Sequence, residues 1–168
     1  MKKISILAIC LMAVFTAYAG EERLSVIPNL SPDATKYAIA KQNATQITAL
    51  ETTQKGRLWA SVLCGGDGPE GFLSLVYSDS KGGEWSNAIV ALDAREQNLA
   101  VRNGVLWYSP KGAMWLFYTI FDGYYDGRGS MWAMVCNNPD AEKYATLLFE
   151  LRKAKGMTME DAQKLVCN

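Results

Sequence analysis

The sequence predicts an all-β chain of repeated units that ends in a short helical tail, and two observations carry that expectation. The phrase Thr53-Gln54-Lys55-Gly56-Arg57-Leu58-Trp59 returns 56 positions later as Ser109-Pro110-Lys111-Gly112-Ala113-Met114-Trp115. Each copy reads as a tight turn feeding a strand, with Lys-Gly supplying a residue that tolerates positive φ and an apolar, aromatic run suited to a half-buried pleated surface. The period is too long for most helical repeats and close to the roughly 50 residues of a kelch-type propeller blade. The second observation is punctuation. Short apolar runs alternate with Gly65-Gly66-Asp67-Gly68-Pro69, Lys81-Gly82-Gly83, Asp122-Gly123 and Asp126-Gly127-Arg128-Gly129, the pattern of an antiparallel all-β domain.

The elements follow in order. Residues 1–19 read as an export signal: Lys2 and Lys3 are a basic start, Ile4 to Thr16 is an apolar stretch short of a bilayer span, and Ala17-Tyr18-Ala19 is a small-x-small cleavage site before Gly20. The protein is therefore expected to be secreted or periplasmic, cleaved after Ala19. Glu21 to Lys41, with Pro28 and Pro32, is an irregular lead-in or a short edge strand. Strands are expected near Gln46–Glu51, Leu58–Cys64, Phe72–Ser78, Ala88–Leu92, Val105–Ser109, Met114–Phe121 and Met131–Cys136. Asn138-Pro139-Asp140 is a helix-capping phrase, and Ala141 to Lys155 sets Tyr144, Leu147, Leu148 and Leu151 at helical spacing. Gly156 ends that helix, and Thr158 caps a second short one. The expected organisation is a leader over 1–19, a β domain over 20–140 and a helical tail over 141–168.

Composition narrows the chemistry. Removing Lys2 and Lys3 from seventeen basic and seventeen acidic residues leaves fifteen against seventeen, so nothing steers the chain toward nucleic acid or an anionic membrane. The sequence has no histidine, which removes Ser-His-Asp and Cys-His catalysis and His-ligated zinc. Cys64, Cys136 and Cys167 of the exported chain lack CxxC spacing; one disulfide and three buried thiols both remain open readings. No cofactor is expected.

The string Ser78-Asp79-Ser80-Lys81-Gly82-Gly83-Glu84-Trp85 resembles the Asp-box of sialidases, Ser-x-Asp-x-Gly-x-x-Trp, with Ser80 standing where the aspartate belongs. Lys55-Gly56-Arg57-Leu58-Trp59-Ala60, Leu106-Trp107, Leu116-Phe117, Phe121-Asp122-Gly123 and Asn138-Pro139-Asp140-Ala141-Glu142 are similar to the opening blades of secreted bacterial sialidase-like glycoside hydrolases. The resemblance covers roughly Gln46 to Glu142. It implies a partial sialidase-like β-propeller of two to three blades, because about 40 to 50 residues make one blade and a closed wheel needs at least about four. It also implies that Trp85 packs in the core between blades and that the box is structural.

The family holds the sialate carboxylate with three arginines, the first in an Arg-Ile-Pro phrase ten positions before the turn glycine. Here Gln46-Ile47-Thr48 stands at that place, and glutamine supplies no charge. The family's early acid/base loop corresponds to Gly65 to Gly71, which makes Asp67 the candidate general acid and Glu70 the second candidate. Arg102 and Arg128 are the candidates for touching an anionic sugar, or else they brace strands. Tyr124 and Tyr125 form an aromatic pair that stacks on a sugar or packs on a neighbouring blade. The tyrosine nucleophile and its glutamate belong to later blades, so an incomplete active site in a truncated or degenerate hydrolase is expected. The alternatives are a non-catalytic glycan-binding module and a β domain that self-associates through open sheet edges.

Overall fold

The computed structural model describes residues 24–123 and 128–141, together with the backbone of 149–153. Those residues form two four-stranded antiparallel sheets, each an up-and-down meander in sequence order. Sheet one holds β1 (Gln46–Thr52), β2 (Leu58–Cys64), β3 (Phe72–Ser78) and β4 (Val90–Leu92). Sheet two holds β5 (Leu99–Tyr108), β6 (Met114–Asp122), β7 (Gly129–Cys136) and β8 (Phe149–Lys153). The all-β expectation is met among these residues.

The repeated phrase is the same turn in both sheets. Between β1 and β2 the Gly56 amide donates to the Thr53 carbonyl (2.9 Å) and the Thr53 amide to the Arg57 carbonyl (2.9 Å). The Arg57 amide donates to Thr53 Oγ1 at 3.1 Å. Between β5 and β6 the Gly112 amide donates to the Ser109 carbonyl (2.9 Å) and the Ser109 amide to the Ala113 carbonyl (2.8 Å). The Ala113 amide donates to Ser109 Oγ at 3.1 Å. Gly56 and Gly112 sit at φ 91° and 82°, where an L side chain is strained. A buried hydroxyl and a glycine three residues on are therefore what the phrase encodes, and Thr53 and Ser109 are interchangeable in it.

The sheets pack face to face, with β5 lying across β1, β2 and β3. Alternation along each strand sends Trp59, Leu63, Leu73 and Leu75 from sheet one against Val101, Leu116, Tyr118 and Ile120 from sheet two. The shift of 56 positions carries through this packing. Trp59, buried on the inner face of sheet one, corresponds to Trp115, half-buried on the outer face of sheet two. Leu50, 53% exposed on the outer face of sheet one, corresponds to Leu106 in the common core. Each sheet thus uses as its inner face the surface that its counterpart turns outward.

At the end that carries the repeated turns, Arg57 ties the sheets together. Its Nε and Nη2 donate to the Asp79 carboxylate at 2.7 and 3.0 Å, and its Nη1 donates to the Pro139 and Ala141 carbonyls at 3.2 and 2.8 Å. The guanidinium lies 4.1 Å from the centre of the Tyr77 ring. Thr53 Oγ1 donates to the Asp140 carboxylate, so Asn138-Pro139-Asp140 docks on sheet one.

Two expectations are corrected. Phe149–Lys153, placed by its spacing in a helix, is a strand paired antiparallel to β7, Cys136 opposite Phe149 and Trp132 opposite Lys153. The free N–H and C=O groups along β7 offer a ladder that local helical preference does not outweigh. The rest of the expected helical tail and the leader lie outside the described residues. Trp85, expected in the core, is 39% exposed. It borders a groove of about 640 Å³ on the outer face of sheet one, with Ile39, Ile47, Ala60, Val62 and Val76. Among the described residues Tyr37 and Ile39 pack on that face, and they leave the tryptophan at the groove's margin. In the turn before it, Ser80 Oγ accepts from the Glu84 amide at 2.7 Å, and Ser78 Oγ accepts from the Gly82 amide at 2.9 Å.

Candidate functional site

The register brings most of the candidate residues to one end of the molecule. β2 leaves its sheet at Cys64 and β3 enters at Phe72, opposite one another; near the end of β6, Phe121 stands opposite Gly129, the first residue of β7. The Val101 amide donates to the Gly71 carbonyl at 2.9 Å, which fastens the β2–β3 loop to the start of β5. This end is opposite the repeated turns and the Arg57 tie.

The β2–β3 loop is held tightly at its base. A Cβ on Gly65 would lie 2.1 Å from the Glu70 carbonyl oxygen, so the chain closes on itself only because that side chain is missing. Closure leaves Asp67 and Glu70 as exposed carboxylates on a loop whose two ends are pinned.

Beside it stands a cluster that the sequence reading missed. Arg95, in a 3-10 turn at Arg95–Gln97, donates Nε and Nη2 to the Asp93 carboxylate at 2.8 and 2.7 Å. The Tyr37 hydroxyl donates to the same carboxylate at 3.1 Å, and the guanidinium covers the Phe72 ring at 4.3 Å. Burial pushes the Asp93 carboxyl up, but the Arg95 fork and amide, joined by Tyr37, hold it below the usual carboxylate range. Arg95 is in turn held protonated, first by its bonds to Asp93 and with a contribution from the nearby charge of Glu70. The legible signal was Asp93-Ala94-Arg95 directly after an apolar strand.

The arginines proposed from sequence part company here. Arg102 lies within β5 and is 2% exposed; its Nη2 donates to the Gly123 carbonyl at 3.1 Å, and its guanidinium is 5.4 Å from the Phe121 ring. It braces the neck of the β6–β7 loop. Arg128 is exposed at the same neck, paired with Asp122 at 3.1 Å, and the Asp122 amide donates to the Arg128 carbonyl at 2.9 Å. Tyr124 and Tyr125 lie outside the described residues. Among the described residues no group of three carboxylate or thiol side chains is placed to hold a metal ion.

The end therefore presents two exposed carboxylates, Asp67 and Glu70, beside two paired guanidinium groups, Arg95 and Arg128. Hydrogen-bond acceptors and forked donors in one rim suit a hydroxyl-rich ligand. No family model, curated protein or solved structure matches the chain.

Proposed function

We propose that the chain is a pair of sialidase-like propeller blades that is exported, recognises glycans at the end bearing Asp67, Glu70 and Arg128, and lacks in a single copy the residues for turnover. The observation that carries this reading is the convergence of the β2–β3 loop and the β6–β7 neck at one end of two meanders built on the same turn. The Asp-box-like turn supports it, since Ser80 bonds the backbone across the turn as the family's aspartate is expected to do. Arg102 is spent on bracing, and Gln46 replaces the first expected arginine, so a three-arginine clamp on a sialate carboxylate has too few members. Asp67 then binds sugar hydroxyls.

A glycan array followed by calorimetric titration tests the reading. Saturable binding is expected, weakened about tenfold in Asp67→Asn, the loss of roughly 1.4 kcal/mol for one charge-assisted hydrogen bond. Release of a fluorogenic aglycone from a sialoside is expected to stay at the blank rate. Turnover that Asp67→Asn abolishes would instead make the chain an active hydrolase, and absence of glycan binding would remove the reading altogether. Mass spectrometry of the exported protein is expected to give Gly20 as its first residue.

A further inference from the structure

The two outer faces of the molecule are related to the two inner ones, and that relation defines a partner. At the shift of 56 positions, Leu50 on the outer face of sheet one corresponds to Leu106 in the core, and Trp115 on the outer face of sheet two corresponds to Trp59 in the core. The outer face of sheet one therefore repeats the pattern of the surface that sheet two turns inward, and the outer face of sheet two repeats that of sheet one. Tyr37 and Ile39 cover part of the first outer face, and beside them Ile47 and Leu50 are 54% and 53% exposed; on the other, Val105 and Met131 are 39% and 40% exposed. Val105 is in register with Phe117 and Ala133, and Leu50 with Ala60 and Val76, so these two exposed side chains each continue a buried apolar row.

We infer that the outer face of sheet two docks on the outer face of sheet one of a second copy, repeating head to tail the packing that joins the sheets within one chain. This rests on the blade reading proposed above. The contact is heterologous, so it propagates until it closes. Rings of four-stranded antiparallel sheets close at about four to eight sheets, which for this chain means about two to four copies. β1 and β5 both run toward the repeated turn, so the operation that relates the sheets keeps their direction. Every copy then presents its Asp67 loop on the same side of the ring, with Arg128 of one copy toward the Asp67–Glu70 loop of the next.

Light scattering on the full chain, expressed for export and purified, tests this. The expected result is one discrete mass of two to four copies. Leu50→Glu and Val105→Glu, one on each outer face, are each expected to give a monomer with the parent circular dichroism spectrum; Ile47→Glu serves if Leu50→Glu fails to fold. An equimolar mixture of the two variants retains one intact pair of faces and is expected to form a two-chain species. A monomeric parent, a single-face variant that keeps the parent mass, or a mixture that stays monomeric overturns the inference. Glycan binding by a monomeric parent would retain the functional reading while rejecting the ring; a ring that binds no glycan would do the reverse.

Discussion

Arg57 concentrates more interactions than any other side chain described above, and it is the residue at which stability is most exposed to a single change. Arg57→Ala removes a forked ion pair and a ring contact and leaves the Pro139 and Ala141 carbonyls without their donor. The loss is expected to be about 2–4 kcal/mol, read from urea unfolding, with Arg57→Lys intermediate because an ammonium keeps the charge without the fork. The bond to Arg57 holds the Asp79 carboxyl below its usual range, and Asp93 is lowered likewise. A folded-state pKa below the unfolded one adds stability above the unfolded value of about 4 and loses it as pH falls through the folded value. Thermal midpoints are therefore expected to be level down to about pH 5 and to fall below about pH 4, and Arg57→Ala to flatten the Asp79 part of that decline. Burial pushes the Cys64 and Cys136 thiols up to about 11, so neither is expected to react with a thiol reagent at pH 7 until the protein unfolds. The sequence offered no route to Arg57 as a tie, because its partners Asp79, Pro139 and Ala141 meet it only in three dimensions.

At the scale of the element, the repeated turn and the close approach of the sheets make separate demands. Ser109→Ala deletes the acceptor of the Ala113 amide and is expected to cost about 1 kcal/mol, whereas Ser109→Thr, which restores the residue found in the first copy, is expected to be nearly neutral. Gly104 in β5 faces a tighter constraint. A Cβ there would stand 2.1 Å from Ser61 Oγ and 3.0 Å from Thr48 Oγ1, so Gly104→Ala must part the sheets and is expected to lower the thermal midpoint by more than any substitution in the turns. The strands and turns were legible because alternation and Lys-Gly are local signals. Two things were not. β5 begins at Leu99, earlier than the Val105 start expected, because Asn103 at φ 54° and the irregular pairing between Arg102 and Val105 interrupt its alternation. β8 reads as helix by spacing because its own residues carry a helical period, while the edge of β7 that it pairs with leaves no mark on that spacing.

At the scale of the whole molecule, the candidate rim was half legible. Asp67, Glu70 and Arg128 were found because loop carboxylates and arginines beside glycine announce themselves, and the register sets them at one end. Sugar contact and strand bracing were both open for Arg102, and the burial of its guanidinium against Gly123 and Phe121, which favours bracing, leaves no trace in the chain. Asp93, Arg95 and Tyr37 were missed for the complementary reason, their meeting being a product of how the lead-in crosses sheet one.

The Arg57 contacts also bear on time. Its partners lie 22, 82 and 84 positions along the chain, so its bonds to the Pro139 and Ala141 carbonyls form only after both meanders exist and have met. Each meander assembles from neighbours in sequence, and the clasp closes last. Interactions absent from the folding transition state govern the escape rate from the native state rather than the rate of reaching it. Arg57→Ala is thus expected to raise the unfolding limb of the chevron while leaving the refolding limb in place. One guanidinium, set at the far end from the rim, is thus expected to add to the core packing a brake on how quickly the assembled pair of sheets comes apart.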